Sequence, residues 1–169
     1  APHLLSEKVD NYLKCPSGLP SIQQSLAVVL TAADIFNKGK EDSRCLTLTL
    51  SRIASAFSER PAEILGIKDR GSLKAGNFAD LVVIDPGREY SVKNALAAAG
   101  AGVAAGVAAG ADQEYSVKDV AYKCGWSPYE DTTLRGVIDR VFLNGKQVIA
   151  DSRLLPDSPS GQALAFTDL

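Results

Sequence analysis

Few side chains in this sequence could do chemistry. His3 is the single histidine, and imidazole is the side chain best suited to proton transfer, anion binding or metal ligation near neutral pH. A lone histidine is by default a surface or hydrogen-bonded residue, and one imidazole cannot build a zinc site alone. Cys15, Cys45 and Cys124 are odd in number, far apart and never arranged as C-x-x-C. They read as reduced, buried thiols of a cytosolic protein, not as disulfides or metal ligands. Carboxylates pair at Glu41-Asp42 and Glu130-Asp131, where a solvated turn is the simplest reading. The chain has no H-x-H, H-E-x-x-H or G-x-S-x-G, and neither a P-loop nor a dinucleotide fingerprint. Unaided, these residues make no complete active site.

The elements that must position them are organised around residues 70–86, R-G-S-L-K-A-G-N-F-A-D-L-V-V-I-D-P. Gly71 and Gly76 bracket Ser72-Leu73-Lys74-Ala75 as a tight reverse turn. Leu81, Val82, Val83 and Ile84 then read as a strand buried on both faces, stopped by Asp85-Pro86-Gly87. Upstream, residues 1–14 are a polar loop or frayed helix, and Cys15-Pro16-Ser17-Gly18-Leu19-Pro20 is a rigid turn. Ser21 with Gln24 suggests a capping box opening a helix, whose face is Ile22, Leu26, Val29, Leu30, Ala33 and Phe36 and whose stop is Gly39. Leu46, Leu50, Ile53 and Phe57 predict a second helix, with Asp42 or Ser43 as cap. A short third helix is predicted over residues 58–66, with Pro61 in its first turn and Gly66 at its end. Near the end, Asn144-Gly145 between two apolar runs predicts a hairpin with a type I′ turn. The tail from Asp151 is expected on the surface.

Composition narrows the classes. The 169 residues are 46% hydrophobic and 22% charged, ordinary globular usage, with a net charge of −2. That balance gives no electrostatic case for nucleic acid or an anionic membrane as partner. Glu89-Tyr90-Ser91-Val92-Lys93 recurs as Glu114-Tyr115-Ser116-Val117-Lys118, with an almost pure Ala/Gly tract between the copies. Gly102, Gly106 and Gly110 fall four apart in that tract, yet Ala and Gly give too little transfer energy for a membrane span. A flexible or weakly helical insert is expected instead. The opening Ala1-Pro2-His3 has neither the basic nor the apolar region of a signal peptide. The lack of methionine leads to the expectation that residues precede Ala1.

Four motifs, in order, carry a resemblance to the dihydroorotases, zinc-dependent cyclic amidohydrolases, and a fifth resembles the wider amidohydrolase superfamily. Ala1-Pro2-His3 resembles the end of their [S/T]-D-H-A-P-H signature, and Cys15-Pro16-Ser17-Gly18-Leu19-Pro20 the substrate-side loop that follows. The G-S-L-x-x-G-x-x-A-D-L-V-V-I-D-P text is similar to the point where the superfamily's chain leaves its barrel and enters a small β-domain. Trp126-Ser127-Pro128-Tyr129-Glu130 and the hairpin of residues 136–148 resemble the family's late W-S-P-[FY]-E and N-G segments.

The resemblance implies an α/β fold: the C-terminal part of a (β/α)8 metal-dependent barrel plus strands of a small composite β-domain. A complete barrel needs about 250 residues, so the expected organisation is partial. Residues 1–66 are the last barrel helices and loops, and residues 67–93 hold a strand of the β-domain. Residues 94–113 are the insert, and residues 114–169 a loop, the hairpin and a tail. The implied activity interconverts N-carbamoyl-aspartate and dihydroorotate in cytoplasmic pyrimidine biosynthesis. His3 would bind the substrate carboxylate, and Pro16, Ser17 and Gly18 would offer backbone groups to its ring. The zinc ligands and the catalytic Asp of the family have no counterparts here, the Asp falling before Ala1; the missing N-terminal barrel portion would be the partner that supplies them. No metal ligand is therefore expected in this chain, and a homo-oligomer is an open expectation. Two other readings stand beside this one: a hydantoinase- or allantoinase-type cyclic amidase, and a non-catalytic scaffold that binds a partner subunit.

Overall fold

A left-handed turn sets the register of the sheet. Asn144 and Gly145 take φ of 51° and 79°, the type I′ geometry that suits the right-handed twist of the strands it joins. It links β3 (Thr133–Leu143) to β4 (Lys146–Ala150), as the sequence predicts. In the computed structural model, residues 3–8, 13–39, 47–93, 115–116, 122, 124–155 and 161–167 are described. The Ala/Gly tract lies outside them. With β1 (Leu81–Lys93), β2 (Tyr115–Ser116) and β5 (Arg153–Leu154), the strands form one sheet in the order β2-β1-β3-β4-β5. Among the described residues only the β1–β2 pair is parallel, and the other three strand pairs are antiparallel.

Two sequence expectations fail at β1. The strand does not stop at Asp85-Pro86-Gly87 but passes through it as a bulge, the register slipping between Asp85 opposite Val137 and Glu89 opposite Arg135. Proline cannot donate to a ladder, and a bulge is where a strand tolerates it; Asp85 Oδ1 accepts the Gly87 amide at 2.9 Å and closes the kink. Nor is the apolar run covered on both faces, since Val82 is 53% and Val83 42% exposed. A third correction concerns the tail. Asp151 and Ser152 turn the chain back into β5, and Ser152 is buried, donating its hydroxyl to Ile138 O at 2.6 Å and its amide to Asp139 O at 3.0 Å.

The helices lie against this sheet. α1 (Ser25–Lys38) buries Ala27, Leu30 and Ala33, of which Ala27 joins Tyr90, Val92, Leu134 and Val137 in one core cluster. Leu30 and Ala33 join Ile53 in a second, with Leu26, Val29, Leu48 and Ile84 packed around it. Ile22 and Phe36, expected on the same face, are exposed: alanines bring the helix close to β3, which turns the outer members of the stripe away. Gly136, at φ 92°, has no side chain where Leu30 packs. The capping box does not form. α1 begins four residues after Ser21, and buried Gln24 at its N-cap makes no side-chain cap bond; its Oε1 accepts instead from the Tyr122 hydroxyl at 3.1 Å. Gly39 ends the helix, its amide bonded to Ile35 O at 3.0 Å.

The second and third predicted helices are one run. Thr49 is the cap, its hydroxyl accepting from Arg52 N at 3.3 Å; Asp42 and Ser43, expected in that role, lie outside the described residues. Leu48 stays extended because Asn37 holds both its amide and its carbonyl, at 3.0 and 2.9 Å. α2 (Leu50–Ala54) passes through a π turn (Ser55–Glu59) into α3 (Arg60–Ile64). Pro61 would clash with the carbonyl four residues back in a regular α-helix, and widening the turn before it relieves that conflict.

The segment of residues 70–86 acts as a joint. Arg70 ion-pairs with Asp80, donates to Asn144 Oδ1 at 3.2 Å and lies 4.2 Å over the Phe78 ring. Asp80 Oδ1 in turn accepts the Asn144 amide at 2.7 Å. These residues fasten the turn to the hairpin.

Candidate functional site

His3 and the Pro16-Ser17-Gly18 loop meet at one small element, a 3-10 turn over Leu5–Lys8. Glu7 begins the connection. Its Oε2 accepts the Leu4 amide at 2.6 Å, an acidic side chain satisfying an amide at the start of a turn. The same oxygen lies 3.8 Å from His3 Nδ1. From the other side, the Trp126 indole donates to the His3 carbonyl at 2.8 Å. Trp126 is buried, so the backbone of His3 is tied to a fixed point of the fold. Among the described residues nothing bonds His3 Nε2.

Lys8 makes the second half of the connection. Its ammonium donates to the carbonyls of Pro16 and, at 2.9 Å, Gly18, while the Cys15 thiol returns a weak bond to Lys8 O at 3.6 Å. Gly18 takes φ of 92°, which the turn needs and a side chain would oppose. Beyond the loop, Pro20 is fully buried and α1 begins. The segment around Trp126 seals this end: Tyr122 accepts the Gln23 amide and donates to Gln24. Burial pushes the Tyr122 hydroxyl up from its ordinary value, its bonds to residues 23 and 24 offsetting part of the effect.

The structure therefore ties His3 and residues 16–18 to two consecutive residues of one turn, Glu7 and Lys8. Sequence reasoning missed Glu7 and Lys8, which join them. The spacing of His3 and Glu7, one helical turn, was a readable signal; the contact of Lys8 with a loop eight to ten residues on was not. Among the described residues no group of three or more His, Cys, Asp or Glu side chains could hold a metal ion. Cys15 and Cys124 are free thiols, and Cys45 lies outside the described residues. No described helix is long and apolar enough to cross a membrane. Chemically the site can bind: among the described residues His3 keeps Nε2 open, while Lys8 engages the Pro16 and Gly18 carbonyls of the loop.

Comparison with known proteins gives this geometry a family. The profile of the Amidohydrolase family matches residues 29–148, most of the chain. The chain belongs to that family. Among curated members it is 39% identical over 98 residues to a dihydroorotase of Trichlorobacter lovleyi, a match covering 57% of this chain and 20% of that protein. A dihydroorotase of Pyrococcus horikoshii matches at 27% identity over 164 residues, 97% of this chain and 30% of that protein. This amidohydrolase chain thus spans under a third of the length of these curated relatives. Among solved structures it resembles a D-hydantoinase with a TM-score of 0.59 at 19% identity, covering 89% of this chain and 26% of the other. A D-hydantoinase (dihydropyrimidinase) from Thermus sp. gives 0.61 at 18%, covering 91% and 28%. At these identities the likeness is one of fold. It agrees with a partial α/β unit of helices on a mainly antiparallel sheet.

Proposed function

We propose that this chain is the C-terminal portion of a dihydroorotase-like cyclic amidohydrolase and contributes part of its substrate site. What carries the reading is that a dihydroorotase matches over 97% of the chain; the turn that joins His3 to residues 16–18 supports it. His3 binds the carboxylate of dihydroorotate or N-carbamoyl-aspartate, as a donor whose backbone Trp126 and whose ring Glu7 keep in place. Pro16, Ser17 and Gly18 border the ring of the substrate.

The family resemblance implies zinc, but the described side chains do not fit a zinc ion. No step is assigned through a metal here. The preceding barrel portion of a complete, cytoplasmic enzyme is the partner that would supply those ligands and the general base.

Replacing His3 by Ala in the complete enzyme tests the reading. Losing one hydrogen bond to a charged group costs about 1.5–3 kcal/mol, roughly a ten- to hundredfold loss in binding. The KM for dihydroorotate is expected to rise by that factor with zinc content at the wild-type level. An unchanged KM removes His3 from the substrate site, and lost zinc makes it a ligand instead. Hydantoin is assayed alongside; turnover of hydantoin with none of dihydroorotate moves the enzyme to the hydantoinase class.

A further inference from the structure

Lys8 is the residue of this region whose bonds are least accounted for by the fold. A half-buried ammonium sheds part of its hydration, and that loss is made good only by strong acceptors. Lys8 finds two in one short loop, the carbonyls of Pro16 and Gly18. These belong to a stretch that neither helix nor sheet orders: residues 16–21 have no regular structure, and Pro16 and Pro20 have no amide to donate. Its conformation depends on side chains that reach it. Among the described residues, Ser17, between the two engaged carbonyls, has no hydrogen-bond partner of its own. The residue next to Lys8 in the chain, Glu7, contacts His3. Two consecutive residues of one 3-10 turn therefore hold the two halves of the candidate site.

We propose that Lys8 is a positioning residue: by bonding the Pro16 and Gly18 carbonyls it fixes the substrate-side loop at a set distance from His3 and leaves Ser17 to face the ligand. This rests on the substrate-site reading given above. The ammonium does not touch the substrate. Its charge serves to hold two carbonyl dipoles on one side of the loop, so the loop is ordered before a ligand arrives and binding does not bear that ordering cost.

The test uses the complete enzyme with Lys8→Met, Lys8→Gln and Lys8→Arg. Steady-state kinetics on dihydroorotate are measured together with hydrogen exchange of the peptide spanning residues 13–21. Lys8→Met is expected to raise KM about tenfold, the effect of roughly one charge-assisted bond, while kcat stays within about twofold and exchange quickens in that peptide but not in residues 25–38. Lys8→Arg, which can still donate to two carbonyls, is expected to restore both readouts. Should Lys8→Met fail to accumulate, the polar Lys8→Gln carries the same comparison. Unchanged KM and unchanged loop exchange overturn the proposal. So does exchange that quickens throughout residues 25–38 without rescue by Arg, which marks a merely structural lysine. If Lys8→Met loosens the loop while His3→Ala leaves KM unaltered, the clamp is upheld and the substrate-site reading falls.

Discussion

Asp34 shows how much one surface carboxylate can join. It lies 2.7 Å from Lys38 on its own helix and 2.7 Å from Arg135 on β3, and Arg135 also reaches Glu89 on β1 at 3.3 Å. The hydrogen bond from Lys38, then that from Arg135, holds the Asp34 carboxyl below its ordinary value of 3.8. A depressed folded-state value means the folded form favours the ionised acid. The stabilisation is therefore complete above the ordinary value and is lost as pH falls through the folded one. Asp34→Asn is expected to flatten the acid limb of stability. Urea midpoints measured from pH 5 down to 2 on both proteins check this, and parallel curves would show the network contributes nothing. Part of this was legible beforehand: Lys38 stands one helical turn from Asp34, a spacing any reader of the sequence can see. Arg135 was not, nor was Lys8 at Pro16 and Gly18, because contacts between distant segments leave no periodicity. His3 stands out through the A-P-H text and Glu7 through its spacing one helical turn on, whereas the anchor Trp126, 123 residues away, is visible only in three dimensions.

At the scale of elements, legibility followed the turn chemistry. Asn144-Gly145 was read correctly because few residues accept left-handed geometry, so the sequence must spell it out. The start of α1 departs from the capping pattern of Ser21 and Gln24 because burial overrides it: Gln24 is only 1% exposed and its side chain turns to Tyr122. Pro86 looked like a strand end and is a bulge, for the antiparallel partner β3 continues past it. Where α1 meets the sheet, Gly136 decides the fit. At its φ of 92° a side chain is strained, and a methyl group there would be driven into Leu30 Cδ1. Gly136→Ala is expected to destabilise the fold by about 2–4 kcal/mol, backbone strain and overpacking together. Urea denaturation should show a lower midpoint at unchanged slope. A shift under half a kcal/mol would mean that α1 can slide away from β3 freely.

At the scale of the molecule, the chain leaves much apolar surface uncovered. Val82 and Val83 on β1, Phe57 in the π turn, and Ile64 and Leu65 at the end of the last helix are all exposed. Exposed apolar residues in such number leave room for cover by another surface, and the curated relatives are more than three times as long as the part matched here. Produced alone, the chain is expected to bind the dye ANS and to self-associate, while the complete enzyme binds little. Light scattering and dye fluorescence on both decide it; a clean, dye-silent monomer would mean these residues need no cover. The bond from Trp126 to His3 spans 123 residues of chain. At about 5–20 residues per second, a ribosome makes His3 roughly 6–25 s before it makes the indole that fastens it. Translation thus delivers the histidine early and its anchor late, so a nascent chain interrupted anywhere between the two carries the residue but not the site.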